Sequence, residues 1–192
     1  MNQNEILELF EKANALLKGH FKLTSGRHSN IYYEKFNLLR QPVICTQICQ
    51  EMAKQFDESG VETVVGPTTG GIILAYDVAR YLKVESIYAE AGDNGRVFKR
   101  GFSLKKGRKV LIVDDILTTG KSLFEVIDLV KSYEADIVGV SVMLDRSGGE
   151  LSFDYPFKPL ASVDAISWDV DDCPLCKENE PITQRGSRVF QK

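Results

Sequence analysis

The segment VLIVDDILTTGKS, residues 110–122, is the part of the sequence that decides the fold. Four apolar residues come first, then Asp114 and Asp115, two further apolar residues, and the polar run 118–122. A short, continuous apolar stretch of this kind is typical of a strand that is buried on both faces. The apolar periodicity after residue 122 indicates a helix. The segment therefore predicts a buried strand, a polar turn and a helix.

Strands and helices alternate on both sides of this segment. Strands are predicted at residues 61–66, 85–89, 109–113 and 136–144, and helices at residues 4–18, 43–58, 72–82 and 123–133. This alternation predicts an α/β fold with a central, mostly parallel sheet flanked by helices. Ligands of such sheets bind beyond the carboxyl ends of the strands. The turns 66–71, 114–122 and 145–149 should therefore lie along one edge.

Length and composition limit the classes of function. A chain of 192 residues with a formal net charge of −3 predicts one globular domain, and a pI near 5.5 argues against a nucleic-acid partner. No apolar run approaches the roughly 20 residues of a membrane-spanning helix, and the acidic N-terminal stretch is unlike a secretory signal. We therefore expect a cytoplasmic protein. The basic residues within 96–109 suit either a solvated loop or a clamp for a small polyanion.

The polar turn after the central strand carries the chemistry. Gly120-Lys121-Ser122 suggests a nucleoside-triphosphate loop, but that pattern needs a glycine where Asp115 stands. Backbone N–H groups at a helix N-terminus bind phosphate without a lysine, and threonine and serine hydroxyls add donors. The two acids suit a sugar diol or Mg²⁺. A phosphate cradle beside two such acids predicts a site for a phosphorylated ribose.

Residues 110–122 resemble the phosphoribosyl pyrophosphate signature of the type I phosphoribosyltransferases. The segments 19–39, 64–82 and 171–188 are similar to those of the orotate phosphoribosyltransferase family in its short bacterial and archaeal form. The resemblance implies one domain over residues 1–192, with a hood formed by about residues 1–40 and the C-terminal tail above a core of about residues 41–165. It also implies transfer of phosphoribose from phosphoribosyl pyrophosphate to orotate in pyrimidine synthesis, with Mg²⁺ as cofactor and a homodimer as the assembly.

The resemblance also implies roles for individual residues. Asp114 and Asp115 would bind the ribose hydroxyls, directly or through Mg²⁺, and Arg146 would grip the orotate carboxylate, close to Thr118. The residues expected to bind phosphoribosyl pyrophosphate are Asp114, Asp115, Ile116, Leu117, Thr118, Thr119, Gly120, Lys121 and Ser122, with Thr69 and Gly70 of the turn around the pyrophosphate. Ser25, Gly26 and Ser29 lie in the segment that would close over the substrates. Tyr32 and Tyr33 are either ring-stacking or core residues.

The sequence departs from the family pattern in its basic residues. The stretch 89–107, which matches the family's mobile loop, is shorter and has no histidine, and Thr69-Gly70-Gly71 stands where the family has a lysine. Thr24 also occupies a position that often holds a lysine. Cations near a departing pyrophosphate stabilise the charge that develops on it. Lys99 and Arg100 are therefore the candidates for this catalytic role.

The four cysteines allow three interpretations. Cys173 and Cys176 form CPLC, and with Cys45 and Cys49 they could bind structural zinc through four thiolates. The second interpretation is reduced thiols, with the CPLC pair in a tail turn, and the third, a disulfide, is disfavoured by a cytosolic location. Of the two histidines, His28 is expected in a loop near the substrates.

Two other functions stay open from the sequence alone. One is phosphoribosyl transfer to a purine or another base, against which Arg146 and the SGRHS segment 25–29 argue because they suit a carboxylated pyrimidine. The other is a regulator that senses phosphoribosyl pyrophosphate and binds nucleic acid. The acidic pI and the lack of an added DNA-binding module argue against the regulator.

Overall fold

The secondary structure follows the predicted alternation. The computed structural model describes residues 1–23, 25–164 and 166–184, so Thr24 and residues 185–188 of the tail segment lie outside the described residues. The elements in chain order are α1 (Gln3–Lys12), β1 (Leu16–Lys22), β2 (His28–Tyr33), α2 (Lys35–Leu39), α3 (Pro42–Lys54), β3 (Thr63–Pro67), α4 (Gly70–Leu82), β4 (Glu85–Gly92), β5 (Gly95–Val97), β6 (Lys109–Leu117), α5 (Lys121–Ser132), β7 (Asp136–Asp145), β8 (Ala161–Ser162), a 3-10 turn (Val170–Asp172), α6 (Pro174–Lys177) and β9 (Ile182–Gln184).

A six-stranded sheet in the order β5-β4-β3-β6-β7-β8 forms the centre of the molecule. Five strands, β4, β3, β6, β7 and β8, are parallel to one another, and the short β5 at the edge pairs antiparallel with β4. One face packs against α1, α3 and α4, and the other against α5. The continuous apolar runs of β3 and β6 are buried because helices cover both faces. The predicted α/β fold with a mostly parallel sheet is confirmed.

A second sheet has three strands in the order β2-β1-β9. β1 and β2 form an antiparallel hairpin, and β9 from the tail pairs parallel to β1, with His20 opposite Ile182. The N-terminal and C-terminal segments therefore share one sheet.

Several predicted boundaries were wrong, and the first helix most of all. Leu16 and Leu17 match helical spacing, but α1 ends at Lys12 and these leucines begin β1. Asn14 ends the helical path with a φ of 52°, and Ala15 N–H bonds back to Phe10 O over 2.8 Å. Asparagine tolerates this left-handed conformation better than most residues.

The boundaries beside the predicted site differ too. β6 continues four residues beyond the predicted 113, so the two acids lie within the strand. α4 and α5 each begin two residues earlier than predicted, directly on the polar turns. Within the described part of the chain, no helix combines the length and the apolar character needed to cross a membrane.

Candidate active site

The turn between β3 and α4 packs directly against the acids of β6. A Cβ added to Gly70 would lie 2.0 Å from Oδ2 of Asp115, and one added to Gly66 would lie 2.1 Å from the carbonyl oxygen of Gly71. Neither position has room for a side chain. The Thr68–Thr69 peptide bond in this turn is cis. The structure thus brings Thr69 and Gly70 together with Asp115 at the carboxyl edge of the sheet, as predicted.

Asp114 and Asp115 are both buried, with exposed fractions of 8% and 3%. Asp114 Oδ1 accepts a hydrogen bond of 2.8 Å from the backbone N–H of Asp115, and Asp115 forms an ion pair of 2.8 Å with Lys35 of α2. Burial and, next, the negative charge of Asp115 together raise the pKa of Asp114 to about 7, against smaller opposing effects of the Asp115 N–H, Lys35 and Arg96. A cation or hydroxyl donors would therefore bind favourably to this pair of carboxyl groups.

The phosphate cradle predicted from the sequence falls at the start of α5. Its N-cap is Gly120, which has a φ of 74° and no side chain to cap the helix. The first backbone N–H groups of an α-helix have no intrahelical acceptor, so those after Gly120 remain available to an anion. Asp114 and the continuous run 116–123 line a concavity of about 70 Å³ at this point.

Arg96 of β5 connects the two turns, and the sequence analysis did not single it out. Its guanidinium donates 2.8 Å to Thr68 Oγ1 and 3.0 Å to Ser122 Oγ. Its side chain is 14% exposed and lies 3.4 Å from Glu125, while its buried Nε has no hydrogen-bond partner. The cluster of basic residues in 96–109 was the only signal for it, and that cluster did not show which member faces inward.

Lys99 and Arg100 lie at a different place. Lys99 Nζ donates 3.2 Å to the carbonyl oxygen of Ala91, and Arg100 Nε pairs with Glu90 over 3.0 Å with its own side chain 64% exposed. Both contacts are to β4, whereas Arg96 contacts the two turns themselves. These candidates are therefore held at the rim of the site in this structure.

Arg146 lies immediately after β7 and beside the end of β6. Its backbone N–H donates 2.8 Å to Leu117 O, which places it next to Thr118. The guanidinium is 5.1 Å from the centre of the Tyr33 ring, and its Nε is buried without a hydrogen-bond partner. Burial lowers the pKa of Arg146 from its usual value. This is a partly desolvated cation over an aromatic ring, suited to a planar carboxylate.

Residues of the predicted closing segment take different roles. Ser29 is buried in β2, where its hydroxyl donates 2.8 Å to Ile166 O, so it holds the hairpin to residue 166. Ser25 stays exposed. Tyr32 packs against Phe21, with ring centres 5.6 Å apart, and Tyr33 against Phe10 at 6.1 Å. The tyrosines are thus hairpin residues, and Tyr33 also faces Arg146.

The structure does not support the four-thiolate alternative, because it does not bring the two cysteine pairs together. Cys45 and Cys49 are buried in α3, within the core beneath the central sheet. Cys173 and Cys176 instead lie against His20 and His28, and this is the group of potential metal ligands found among the described residues. His28 is not in a loop, because it begins β2 and is 2% exposed.

A mostly parallel sheet whose carboxyl edge carries a buried acid pair between two polar turns is the arrangement of the type I phosphoribosyltransferase fold. In agreement, the family described as "Phosphoribosyl transferase domain" matches residues 37–175. An orotate phosphoribosyltransferase of Thermotoga maritima is 46% identical over 183 residues, covering 95% of this chain and 98% of that protein. One from Desulforamulus reducens is 44% identical over 188 residues, covering 98% of both.

A solved structure agrees with these relatives. The crystal structure of orotate phosphoribosyltransferase from Aeropyrum pernix superposes with a TM-score of 0.67 at 26% identity, covering 82% of this chain and 93% of that one. The chain belongs to the orotate phosphoribosyltransferase family, enzymes of pyrimidine biosynthesis. The predictions of the family, of the fold and of an enzyme are confirmed.

Proposed function

We propose that this pocket transfers the 5-phosphoribosyl group of phosphoribosyl pyrophosphate to orotate, giving orotidine 5′-monophosphate and pyrophosphate. The observation that carries the proposal is the buried pair Asp114–Asp115 held between two polar turns, with Arg146 at the end of the neighbouring strand. The three parts suit the three chemical parts of the reaction: a sugar with hydroxyls, a 5′-phosphate together with a pyrophosphate, and a planar carboxylate.

The donor would lie along the carboxyl edge of the sheet. Residues 118–122 would bind the 5′-phosphate through backbone N–H groups and hydroxyls, and Asp114 and Asp115 would accept hydrogen bonds from the ribose hydroxyls. Thr69 and Gly70 would bind the pyrophosphate, which the tight packing at Gly70 keeps close to the acids. Backbone donors suit both anions because they need no reorganisation as the reaction proceeds.

The two buried carboxylates fit Mg²⁺, because it prefers oxygen ligands. When bound, the ion would be held by Asp114 and Asp115 through ribose hydroxyls or water, and it would supply positive charge to the pyrophosphate. Lys35 already neutralises Asp115. The chain itself therefore contributes one paired and one unpaired acid to this part of the site.

The acceptor would be fixed by Arg146 and Thr118. Because Nε of Arg146 is buried and unpartnered, a carboxylate at this position would satisfy a group that the protein leaves unsatisfied. A ring N–H of the pyrimidine releases its proton to solvent, and that nitrogen forms the new bond to C1 of the ribose. The bond from C1 to the pyrophosphate oxygen breaks with its electron pair leaving on that oxygen.

Cations at the edge of the sheet would stabilise the departing pyrophosphate. We assign the inner position to Arg96, which contacts both turns, and the outer position to Lys99 and Arg100, which are exposed at β4. For the two outer residues, reaching the leaving group requires release of their present contacts with Ala91 and Glu90.

The test is a comparison of bases. The protein is incubated with phosphoribosyl pyrophosphate, Mg²⁺ and orotate, adenine, guanine or uracil in turn, and loss of orotate absorbance is followed in the first case. Of the four bases, we expect only orotate to be consumed. Consumption of a purine but not of orotate would support the purine alternative, and consumption of no base would support a sensing regulator.

Substitution of Arg146 tests the acceptor site. A hydrogen-bonded charged pair contributes about 1.5–3 kcal/mol, so Arg146→Ala should raise KM for orotate by roughly 10- to 100-fold and leave KM for phosphoribosyl pyrophosphate nearly unchanged. Arg146→Lys should recover part of the loss. Arg40→Ala, which removes an exposed arginine after α2, is the matched control and should change neither constant. Equal increases in both KM values for Arg146→Ala would contradict the assigned role.

The assembly and location follow as further parts of this proposal. Residues 1–40 and the tail would act as a hood over a core of residues 41–165, joined by the sheet of β2, β1 and β9. Four apolar side chains, Phe36, Val43, Ile73 and Tyr76, are exposed on the adjoining helices α2, α3 and α4, and they support a homodimer. All four cysteines are free thiols, which supports a cytoplasmic location.

A further inference from the structure

Four side chains with metal-binding atoms converge beneath the small sheet. They are His20 of β1, His28 of β2, Cys173 before α6 and Cys176 within α6, and their ligand atoms all lie within 4.8 Å of one another. His20, His28 and Cys173 are at most 2% exposed. Two imidazoles and two thiols in so small and dry a space make a concentrated set of zinc ligands, and the proposed transfer reaction uses none of them.

The separations match a tetrahedral site. Zinc bonds of about 2.0–2.1 Å to nitrogen and about 2.3 Å to sulfur place neighbouring ligand atoms about 3.3–3.8 Å apart. Here Nε2 of His20 is 3.5 Å from the Cys173 sulfur and 3.7 Å from the Cys176 sulfur. Nδ1 of His28 is 3.2 Å from the Cys176 sulfur and 2.9 Å from Nε2 of His20. These four separations lie within about half an ångström of the tetrahedral values, and no two of the ligand atoms are more than 4.8 Å apart.

The surroundings of the cluster also suit a metal. Nδ1 of His20 lies 2.8 Å from the carbonyl oxygen of Glu180. A proton on Nδ1 would be donated to that oxygen and would leave the lone pair of Nε2 directed at the two sulfurs, the orientation that metal-bound histidines usually have. The two cysteines are separated by two residues at the start of a helix, a spacing common in structural zinc sites.

We propose that His20 Nε2, His28 Nδ1 and the thiolates of Cys173 and Cys176 bind one zinc ion. The two thiols release their protons when the ion binds. With four protein ligands the site is closed to substrate, so its role is structural. It connects β1 and β2 to the tail segment that supplies β9, and thus holds the predicted hood together. This inference is independent of the proposed transfer reaction.

Metal analysis tests the proposal directly. Protein produced without a histidine tag is saturated with Zn²⁺, dialysed against metal-free buffer and analysed by mass spectrometry for metals. We expect about one zinc per chain. Replacement by Co²⁺ should give the visible absorption of a tetrahedral ion together with a thiolate charge-transfer band. Neither readout depends on enzyme activity.

Variants separate this site from the other cysteine pair. Cys176→Ser, at the least buried ligand, should bind zinc at least about tenfold more weakly and lose the thiolate band intensity of one sulfur. The matched control Cys45→Ser changes a cysteine in α3 and should keep both the zinc and the cobalt spectrum. Should Cys176→Ser fail to fold, the cobalt spectrum of the parent protein still decides, because two thiolates and two imidazoles differ from four thiolates in band intensity.

Several outcomes would overturn the assignment. These are parent protein that retains no zinc after dialysis, zinc that is lost from Cys45→Ser but kept by Cys176→Ser, and a disulfide between Cys173 and Cys176 in protein purified under reducing conditions. Stoichiometric zinc that is lost with Cys176→Ser would support it.

Discussion

At the scale of single residues, the burial of Asp114 beside Asp115 lowers the stability of the fold and supplies two carboxyl groups for binding. Asp114 is kept beside Asp115 in the dry end of β6, although burial and the neighbouring charge both disfavour its ionised form. A carboxyl whose pKa is higher in the folded than in the unfolded protein destabilises the fold as it ionises. For Asp114 this loss of stability is absent at low pH, grows from about pH 4 to about pH 7, and is complete above that range.

Asp114→Asn should therefore make the free protein more stable. The amide keeps an oxygen that can accept from Asp115 N–H but cannot ionise, so the free energy of unfolding should rise by up to roughly 4 kcal/mol at about pH 8 and by little at about pH 4. Urea unfolding without Mg²⁺ or substrate at both pH values measures this difference. Asp128→Asn, at an exposed acid of α5, is the control. A stability gain that is equal at both pH values would contradict an ionisation effect.

At the scale of elements, two turns from different βα units act together because Arg96 bonds to both. β5 is only three residues long, yet it places this guanidinium between Thr68 and Ser122. We expect Arg96→Ala to raise KM for phosphoribosyl pyrophosphate by roughly 10- to 100-fold, because one change removes bonds to both turns and a positive charge. Arg96→Lys should keep the charge but only one of the two bonds. Its KM for phosphoribosyl pyrophosphate should therefore lie between those of the parent protein and Arg96→Ala.

Lys99→Ala and Arg100→Ala provide the comparison. Among the described residues, the polar contacts of these side chains are to β4, so each variant should leave the affinity for phosphoribosyl pyrophosphate nearly unchanged and reduce kcat if the residue acts on the departing pyrophosphate. Steady-state kinetics of the four variants, with both substrates varied, measure these effects. Unchanged kcat in both Lys99→Ala and Arg100→Ala would remove these residues from the mechanism, and an unchanged KM in Arg96→Ala would remove Arg96.

The elements that sequence predicts well are those whose pattern permits one structure only. The run before Asp114 suits a doubly buried strand and no exposed element, and it correctly predicted a central strand there, although β6 continues through the two acids to Leu117. Leu16 and Leu17 fit a helix and a strand equally well, and only the left-handed Asn14 and the pairing with β2 decide between them.

Contacts between distant elements were beyond the sequence. Cys173 follows His20 by 153 residues, and no local pattern shows that β9 will pair with β1 and bring the tail to the hairpin. The CPLC spacing showed half of a metal site but not its partners. In the same way, the basic stretch 96–109 indicated cations near the site but not that Arg96 would be the residue that contacts the two turns.

At the scale of the whole molecule, the exposed apolar residues of α2, α3 and α4 predict how two copies would associate. Tyr76 is 67% exposed in the middle of α4. Tyr76→Arg places a charge in this patch, and we expect it to convert a dimer of twice 21.5 kDa into a monomer. Light scattering after size-exclusion chromatography measures the mass.

The control for this prediction lies on the opposite layer. Asp128→Arg introduces the same side chain on the exposed face of α5, on the other side of the sheet, and should leave the mass unchanged. A Tyr76→Arg protein that remains folded and has the parent's mass would exclude this face as the interface.

The parallel pairing of β1 with β9 has a consequence for synthesis on the ribosome. The strand that the nascent chain presents among its first residues must wait for a partner that follows about 160 residues later, when the central sheet has already emerged. Until that partner arrives, the hairpin edge is open to pairing with other chains. Emergence of β9 and its pairing with β1 are thus what closes this edge, and chaperone binding to the early hairpin would protect it in the interval.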